Sequence, residues 1–223
     1  MRVLILLLLA PCIAFSQQSK TVDKSFKIPS SKEVKMNLKF AGNIKITPTN
    51  AKQVTLKTTF TYSDEKFLER YDEEISEGSI LEIETGLKKS KEDNKKRYYE
   101  CWSCEDSDCF CLAFDYEILV PSSVKLNLET ISGDIDVGEW SGALRAKSIS
   151  GYIDIVLRPN AKRDINLKSV TGEVYTDLDK IRLDKGSTSY SKKMSTSLNG
   201  GGNLASLQTV SGDIYIRKTK YAN

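Results

Sequence analysis

The chain has 223 residues, of which 33 are Lys or Arg, 30 are Asp or Glu and none is His, for a net charge of +3. The two signs are interspersed, so there is no one-sided field of the kind that holds nucleic acid. Without histidine the chain lacks the usual general base near neutral pH, cannot form a Ser-His-Asp triad and loses the commonest nitrogen ligand for zinc.

Arg2 precedes an apolar run from Val3 to Ala10, and "PCIAFSQQ" follows. The run is too short to span a bilayer, and Ala14 and Ser16 stand three and one residues before a cut at Gln17, so residues 1–16 read as a secretory signal peptide. Lipid attachment at Cys12 competes, but Pro11 stands where a small residue is wanted. No later run is long and apolar enough for a transmembrane helix, so the expected location is exported: periplasm, outer-membrane-associated or extracellular. Residues 17–223 are expected to form one domain.

The front of that domain carries "IPSSKEVKMNLKFAGNIKI" from Ile28, followed by "QVTLKTTFTY" and, after an interruption, "SILEIET". The alternation of apolar and polar residues predicts strands. Between the last two lies "SDEKFLERYDEEI", where Phe67, Tyr71 and Ile75 at helical spacing predict a short amphipathic helix. Next comes a Cys-rich insertion at about 88–111, opened by a basic run from Lys88 to Arg97 that reads as a solvated loop.

The insertion holds Cys101, Cys104, Cys109 and Cys111, all the cysteines beyond the signal peptide. Export to an oxidising compartment favours two disulfides, of which the nested pairing Cys104–Cys109 and Cys101–Cys111 suits a hairpin turn at "EDSD". Two readings compete with this staple. One is a four-thiolate zinc knot, whose knuckles more usually carry Cys-x-x-Cys; the other is a redox pair at "CWSC", which lacks the surrounding βαβ pattern. The rings of Tyr98, Tyr99, Trp102 and Phe110 suit packing over an open end of the fold as well as a ligand platform.

The remainder repeats one phrase. "TISGDIDV", "SISGYIDI", "SVTGEVYT" and "TVSGDIYI" align on Gly133, Gly151, Gly172 and Gly212, at spacings of 18, 21 and 40 residues. A period near twenty marks a stacked repeat. Apolar residues alternate on both sides of each glycine, at odd offsets upstream and even offsets downstream. The chain must therefore turn a corner at the Ser/Thr-Φ-Ser/Thr-Gly step to keep both sets inward, and glycine tolerates the backbone such a corner needs. Gly42 marks the same corner in the front copy. The expected fold is all-β: a β-solenoid of parallel stacked rungs with one short helix in the N-terminal half. Thr130, Ser148, Ser169 and Thr209 are expected to stack as a hydroxyl ladder, and the polar stretch between Leu178 and Asn203 to form a degenerate rung.

These four phrases, together with "ILVPSS" leading into "VKLNLET" and "SLNGGGNLASLQTVSGDI", resemble the bacterial envelope family of DUF4097-type putative adhesins, β-solenoids related to DUF2807 head domains. The resemblance covers most of residues 25 to 220 and implies fold more than activity, since the family brings no catalytic set. The cysteine cluster is an addition to the common pattern.

Asp134, Asp136, Asp154 and Asp213 are expected on the outer surface, where a solvated face is a simpler reading than a shared calcium ion. No convergent catalytic constellation, metal site or cofactor motif stands out. The expected function is a non-enzymatic envelope protein, an adhesin-like binding or structural surface module whose partner is another envelope protein or a glycan. The alternative is a carbohydrate-active enzyme, a polysaccharide lyase or glycoside hydrolase built on a β-helix, for which Asp136, Asp154 and Arg158 form the only cluster to nominate.

Overall fold

The computed structural model describes residues 18–88, 112–178 and 192–219. The expected signal peptide, the four cysteines with their neighbouring aromatic residues, and the basic run beyond Lys88 lie outside the described residues. In chain order the first seven strands are β1 (Gln18–Lys27), β2 (Glu33–Leu38), β3 (Phe40–Thr49), β4 (Gln53–Tyr62), β5 (Tyr71–Glu77), β6 (Leu81–Leu87) and β7 (Leu112–Pro121). The rest are β8 (Lys125–Val137), β9 (Leu144–Ser150), β10 (Ile153–Leu157), β11 (Arg163–Ser169), β12 (Val174–Thr176), β13 (Lys192–Leu198), β14 (Asn203–Ser211) and β15 (Ile214–Lys218).

The alternation in the sequence becomes two facing sheets. A first sheet runs β5-β6-β2-β8-β9-β14-β11-β13, and a second runs β1-β4-β7-β3-β8-β10-β15-β12. β8 is long enough to serve both, its first half in one sheet and its second in the other. The central rungs pair in parallel, so like residues stack: Val34 on Leu126 on Leu144 on Ala205 on Ile165, and Ile44 on Ile135 on Ile153 on Ile214 on Val174. All of them are buried, and all but Ala205 belong to one continuous core. Each large aliphatic side chain removed from water in this way contributes roughly 1.5–3 kcal/mol, which offsets the ordering of a long parallel topology.

The stacking order departs from the sequence order. The last copy, β14–β15, is inserted between the β9–β10 rung and the β11–β12 rung. The hydroxyl column therefore runs Thr130, Ser148, Thr209, Ser169. The stretch expected to hold a degenerate rung instead supplies β13, an antiparallel strand on the outer side of β11. The spacing of 40 residues reflects a chain that passes outward along β13 and returns one rung inward. Nor do the buried hydroxyls bond one another. Ser148 Oγ donates to Gly133 O (3.3 Å) and Ser150 O (3.1 Å), Thr209 Oγ1 to Gly212 O (2.7 Å) and Ser169 Oγ to Gly212 O (3.1 Å), satisfying carbonyls that the corner removes from the ladder.

At the corner the backbones come together more closely than any side chain permits. Gly151 has φ +128° and its absent Cβ would fall onto Gly133 O; the same contact recurs from Gly212 to Gly151 and from Gly172 to Gly212. In the front rung an extra residue lies between Phe40 and Asn43, so Ala41 meets Gly133 while Gly42 lies against Asp115.

The N-terminal end is plugged. Phe60 stands edge-on to Tyr71 (4.9 Å) and to Phe114 (5.7 Å), the Tyr116 hydroxyl lies 2.9 Å from Thr85 Oγ1 across the two sheets, and Lys24 pairs with Glu73 at the rim. Here the helix expectation needs correction. Only Glu65–Arg70 turns, as a 3-10 helix capped by Asp64, and Tyr71 and Ile75 belong to β5. Pairing with β6 and packing of Tyr71 on Phe60 outweigh a helical pattern that has no partner to bury it.

Two outcomes are expected from this architecture. Gly151→Ala should lower stability in urea unfolding by about 3 kcal/mol or more, through backbone strain and overpacking together, while Gly86→Ala, whose Cβ would sit 3.5 Å from the end of Lys39, should cost less than about 1 kcal/mol. Burial pushes the Tyr116 hydroxyl up to about 12. The folded state thus keeps a proton that the unfolded chain releases near pH 10. This contribution is complete below pH 10 and is lost as pH rises towards 12. Alkaline titration of stability should fall steeply over that window, and less steeply in Tyr116→Phe.

Candidate functional site: a polar groove at the second corner

Each rung also turns where it enters the first sheet, and there the two "PSS" segments lie on adjacent rungs. They fold alike: Lys32 N donates to Pro29 O (2.9 Å), and Val124 N to Pro121 O (3.0 Å). In the front copy the residue closing the turn is Lys32, held at φ +54° in the left-handed region that non-glycine residues seldom occupy. Lys125 N then donates to Lys32 O (2.8 Å), which locks the two turns in register.

The next two rungs extend this line. Gly142 packs against the carbonyls of Ser122 and Val124, each 2.5 Å from where a Cβ would be, so only glycine permits the approach. Ser141 Oγ donates to Ser122 O (3.4 Å), and Asn203 Nδ2 donates to Ser141 O (2.9 Å). The result is a groove of about 410 Å³ crossing four rungs, lined by Ser31, Lys32, Ser122, Ser123, Lys125, Ser141 and Asn203 with the backbone of Gly142 and Ala143. Lys125 is neutralised by Glu33 (3.1 Å), which also accepts from Asn127 (2.8 Å).

Behind the groove wall lies Arg163, only 2% exposed. Its Nη1 donates to Ser141 O (2.8 Å) and Gly142 O (2.5 Å), whereas Nε and Nη2 are buried without a partner among the described residues. Burial lowers its pKa to about 10, so the guanidinium stays charged at neutral pH.

The acidic residues singled out from the sequence occupy the outer side of the second sheet, where most are tied into the rungs. Asp134 accepts from Tyr152 N (3.0 Å), Asp213 from Glu173 N (2.8 Å) and Asp136 from the Tyr152 hydroxyl (3.3 Å). Asp154 lies on the same outer face but is covered there: it is 8% exposed and bidentate to Arg217, and burial holds its carboxyl above the ordinary value against the pull of that arginine. Asp136 and Asp154 are neighbours on adjacent rungs, but Arg158 pairs with Glu139 and does not join them. Among the described residues no group of three or more Cys, Asp or Glu is placed to hold a metal ion. Tyr175 and Tyr215 stack at 5.1 Å beside this row.

Lys32, Lys125 and Arg163 carry no motif that marks them in the sequence. The available signal was the duplicated "PSS", which lies 92 residues apart in the two copies and pairs Glu33 with Lys125 in space. Arg163 is harder to find, since an arginine opening a strand reads from the sequence as a solvated residue, and only its burial makes it noteworthy.

Among solved structures, the chain is similar to a putative cell adhesion protein of Clostridium sporogenes, at 14% identity and a TM-score of 0.54, over 91% of this chain and 100% of that one. It is also matched to a putative adhesin of Bacteroides fragilis, at 12% identity and a TM-score of 0.37, over 92% and 98% of the two chains. The first of these shows a shared fold. No curated protein matches significantly. The sequence profile described as Toastrack DUF4097 aligns with residues 16–217, which takes in the stacked glycine corners and both "PSS" turns. The chain therefore belongs to the Toastrack DUF4097 family.

Proposed function

We propose that the protein is an exported, non-enzymatic surface module of the bacterial envelope that holds an extended partner, a glycan or a segment of another envelope protein, in the groove at the second corner. The observation that supports this reading is the lining itself: four rungs contribute hydroxyls, lysines and an amide along one line, and no lining residue is a carboxylate. Glycoside hydrolysis requires a pair of carboxylates flanking the bond to be cut, so the groove is equipped to bind a chain and not to cleave it. Rigid parallel rungs keep the polar groups at a repeat of about 4.8 Å, which favours a partner with its own linear repeat. Export to an oxidising compartment is part of the same reading, with Cys101, Cys104, Cys109 and Cys111 forming two disulfides in residues 17–223.

Cosedimentation of the mature protein with isolated bacterial cell-wall sacculi and envelope polysaccharides should show retention without release of reducing ends. Ser123→Trp, which fills the groove, should weaken retention about tenfold or more, while Ser19→Trp on β1 should not. Turnover of a defined polysaccharide, abolished by a point substitution that leaves the fold intact, would overturn the reading. Intact-mass measurement of protein recovered from the periplasm should give a chain beginning at Gln17 and about four hydrogen masses lighter than its reduced form; four alkylatable thiols would remove the disulfides.

A further inference from the structure

The groove carries an electrostatic asymmetry that a surface for neutral ligands does not need. Arg163 is a fully buried cation with no carboxylate partner among the described residues, and two of its nitrogens make no hydrogen bond. Burying a charge without a counter-ion is costly, and replacing it by an apolar residue would ordinarily be the more stable solution. Its remaining bonds go to Ser141 O and Gly142 O, both on the groove wall, and its strand neighbour Asn203 lines the groove. Because the guanidinium is buried, its field is screened less than that of a surface charge.

A second feature lies on the opposite rim. Lys32 is exposed, its ammonium has no acidic partner among the described residues, and its backbone is held in a sparsely populated conformation. Such strain of roughly 1–3 kcal/mol persists where the surroundings over-determine it, and it concentrates at binding sites. In the second copy the equivalent position is Val124, which is buried and has no positive φ, so the shared turn does not require the strain. Among the described residues the groove thus lies between a lysine without an acidic partner and a buried arginine without a counter-ion, while Lys125 is already neutralised by Glu33.

From this arrangement we infer that the groove selects an anionic polysaccharide, one bearing carboxylate, sulfate or phosphate groups, with Lys32 contacting the anion and Arg163 biasing the site from behind. The inference rests on the reading of the groove as a binding site. The anion supplies the counter-charge that Arg163 lacks, and the hydroxyls of Ser122 and Ser123 with the Asn203 amide hold the sugar hydroxyls.

Affinity electrophoresis of the mature protein through gels containing polygalacturonate, dextran sulfate or neutral dextran separates the possibilities. The expected result is retardation by one or both polyanions, weakened by salt, and none by dextran. Lys32→Gln should reduce polyanion affinity about fivefold and flatten the salt dependence, a loss the size of one ion pair. Arg163→Met, with folding verified by circular dichroism, should reduce it further, and Arg163→Lys should restore most of it. If Arg163→Met does not fold, Lys32→Gln carries the test. Equal, salt-independent retardation by all three polymers would overturn the anion inference while leaving the groove as a glycan site. Retardation by none, or retardation unchanged in Ser123→Trp, would overturn the groove reading as well. Polyanion binding unaffected by Lys32→Gln would place the charge recognition elsewhere and overturn the inference.

Discussion

The close approach of successive backbones at the glycine corner is the constraint on which the structure depends. Where Gly133, Gly151, Gly212 and Gly172 stack, each rung brings its carbonyl into the space a side chain would take. That contact sets the spacing of the rungs at a place where the hydrogen-bonded ladder is interrupted. The buried Ser and Thr hydroxyls answer the same interruption by donating to the freed carbonyls. With both devices in place the chain reverses the parity of its side chains while the corner hydroxyls of Ser148, Thr209 and Ser169 stay bonded, and the two sheets present one continuous apolar interior.

The second corner solves the same geometric problem differently, and the difference creates a surface. Proline turns followed by serines keep the backbone near solvent, so hydroxyls and amides stay available, and Gly142 lets the third rung approach the second closely enough for these groups to form one line. The first corner is built to be shut and the second to be open. A rigid frame of parallel strands then holds the open line without ordering cost on binding, which is how a shallow site reaches useful affinity. The buried Arg163 fits this view as a local departure from an interior whose inward positions are mostly Val, Ile and Leu.

Much of the fold was legible. The parity change across each Ser/Thr-Φ-Ser/Thr-Gly step demanded a corner, and the recurrence of that step demanded stacking. Both follow from side chains alternating along a strand and from burial, which act within a few residues. The helix around Phe67 is shorter than its spacing suggests, because a helical spacing in sequence is also compatible with a strand when pairing partners exist. β6 and the aromatic plug supplied those partners for Tyr71 and Ile75. The groove was less legible. Its components are common residues, Ser, Lys and Asn, that gain meaning only when four rungs align them.

By itself the sequence determined the periodicity, the inward residues, the corners and membership of a stacked β family, because each of these is written in local alternation and in residues that tolerate particular backbones. Only the tertiary structure decided the order in which the rungs stack, the placement of the last copy between two earlier ones and the assembly of the groove. Parallel rungs of one repeat offer nearly the same register to every other rung, so sequence similarity cannot rank their neighbours. That choice falls to the full set of long-range contacts, including the antiparallel β13 that occupies the outer side of β11 and leaves its inner side to β14.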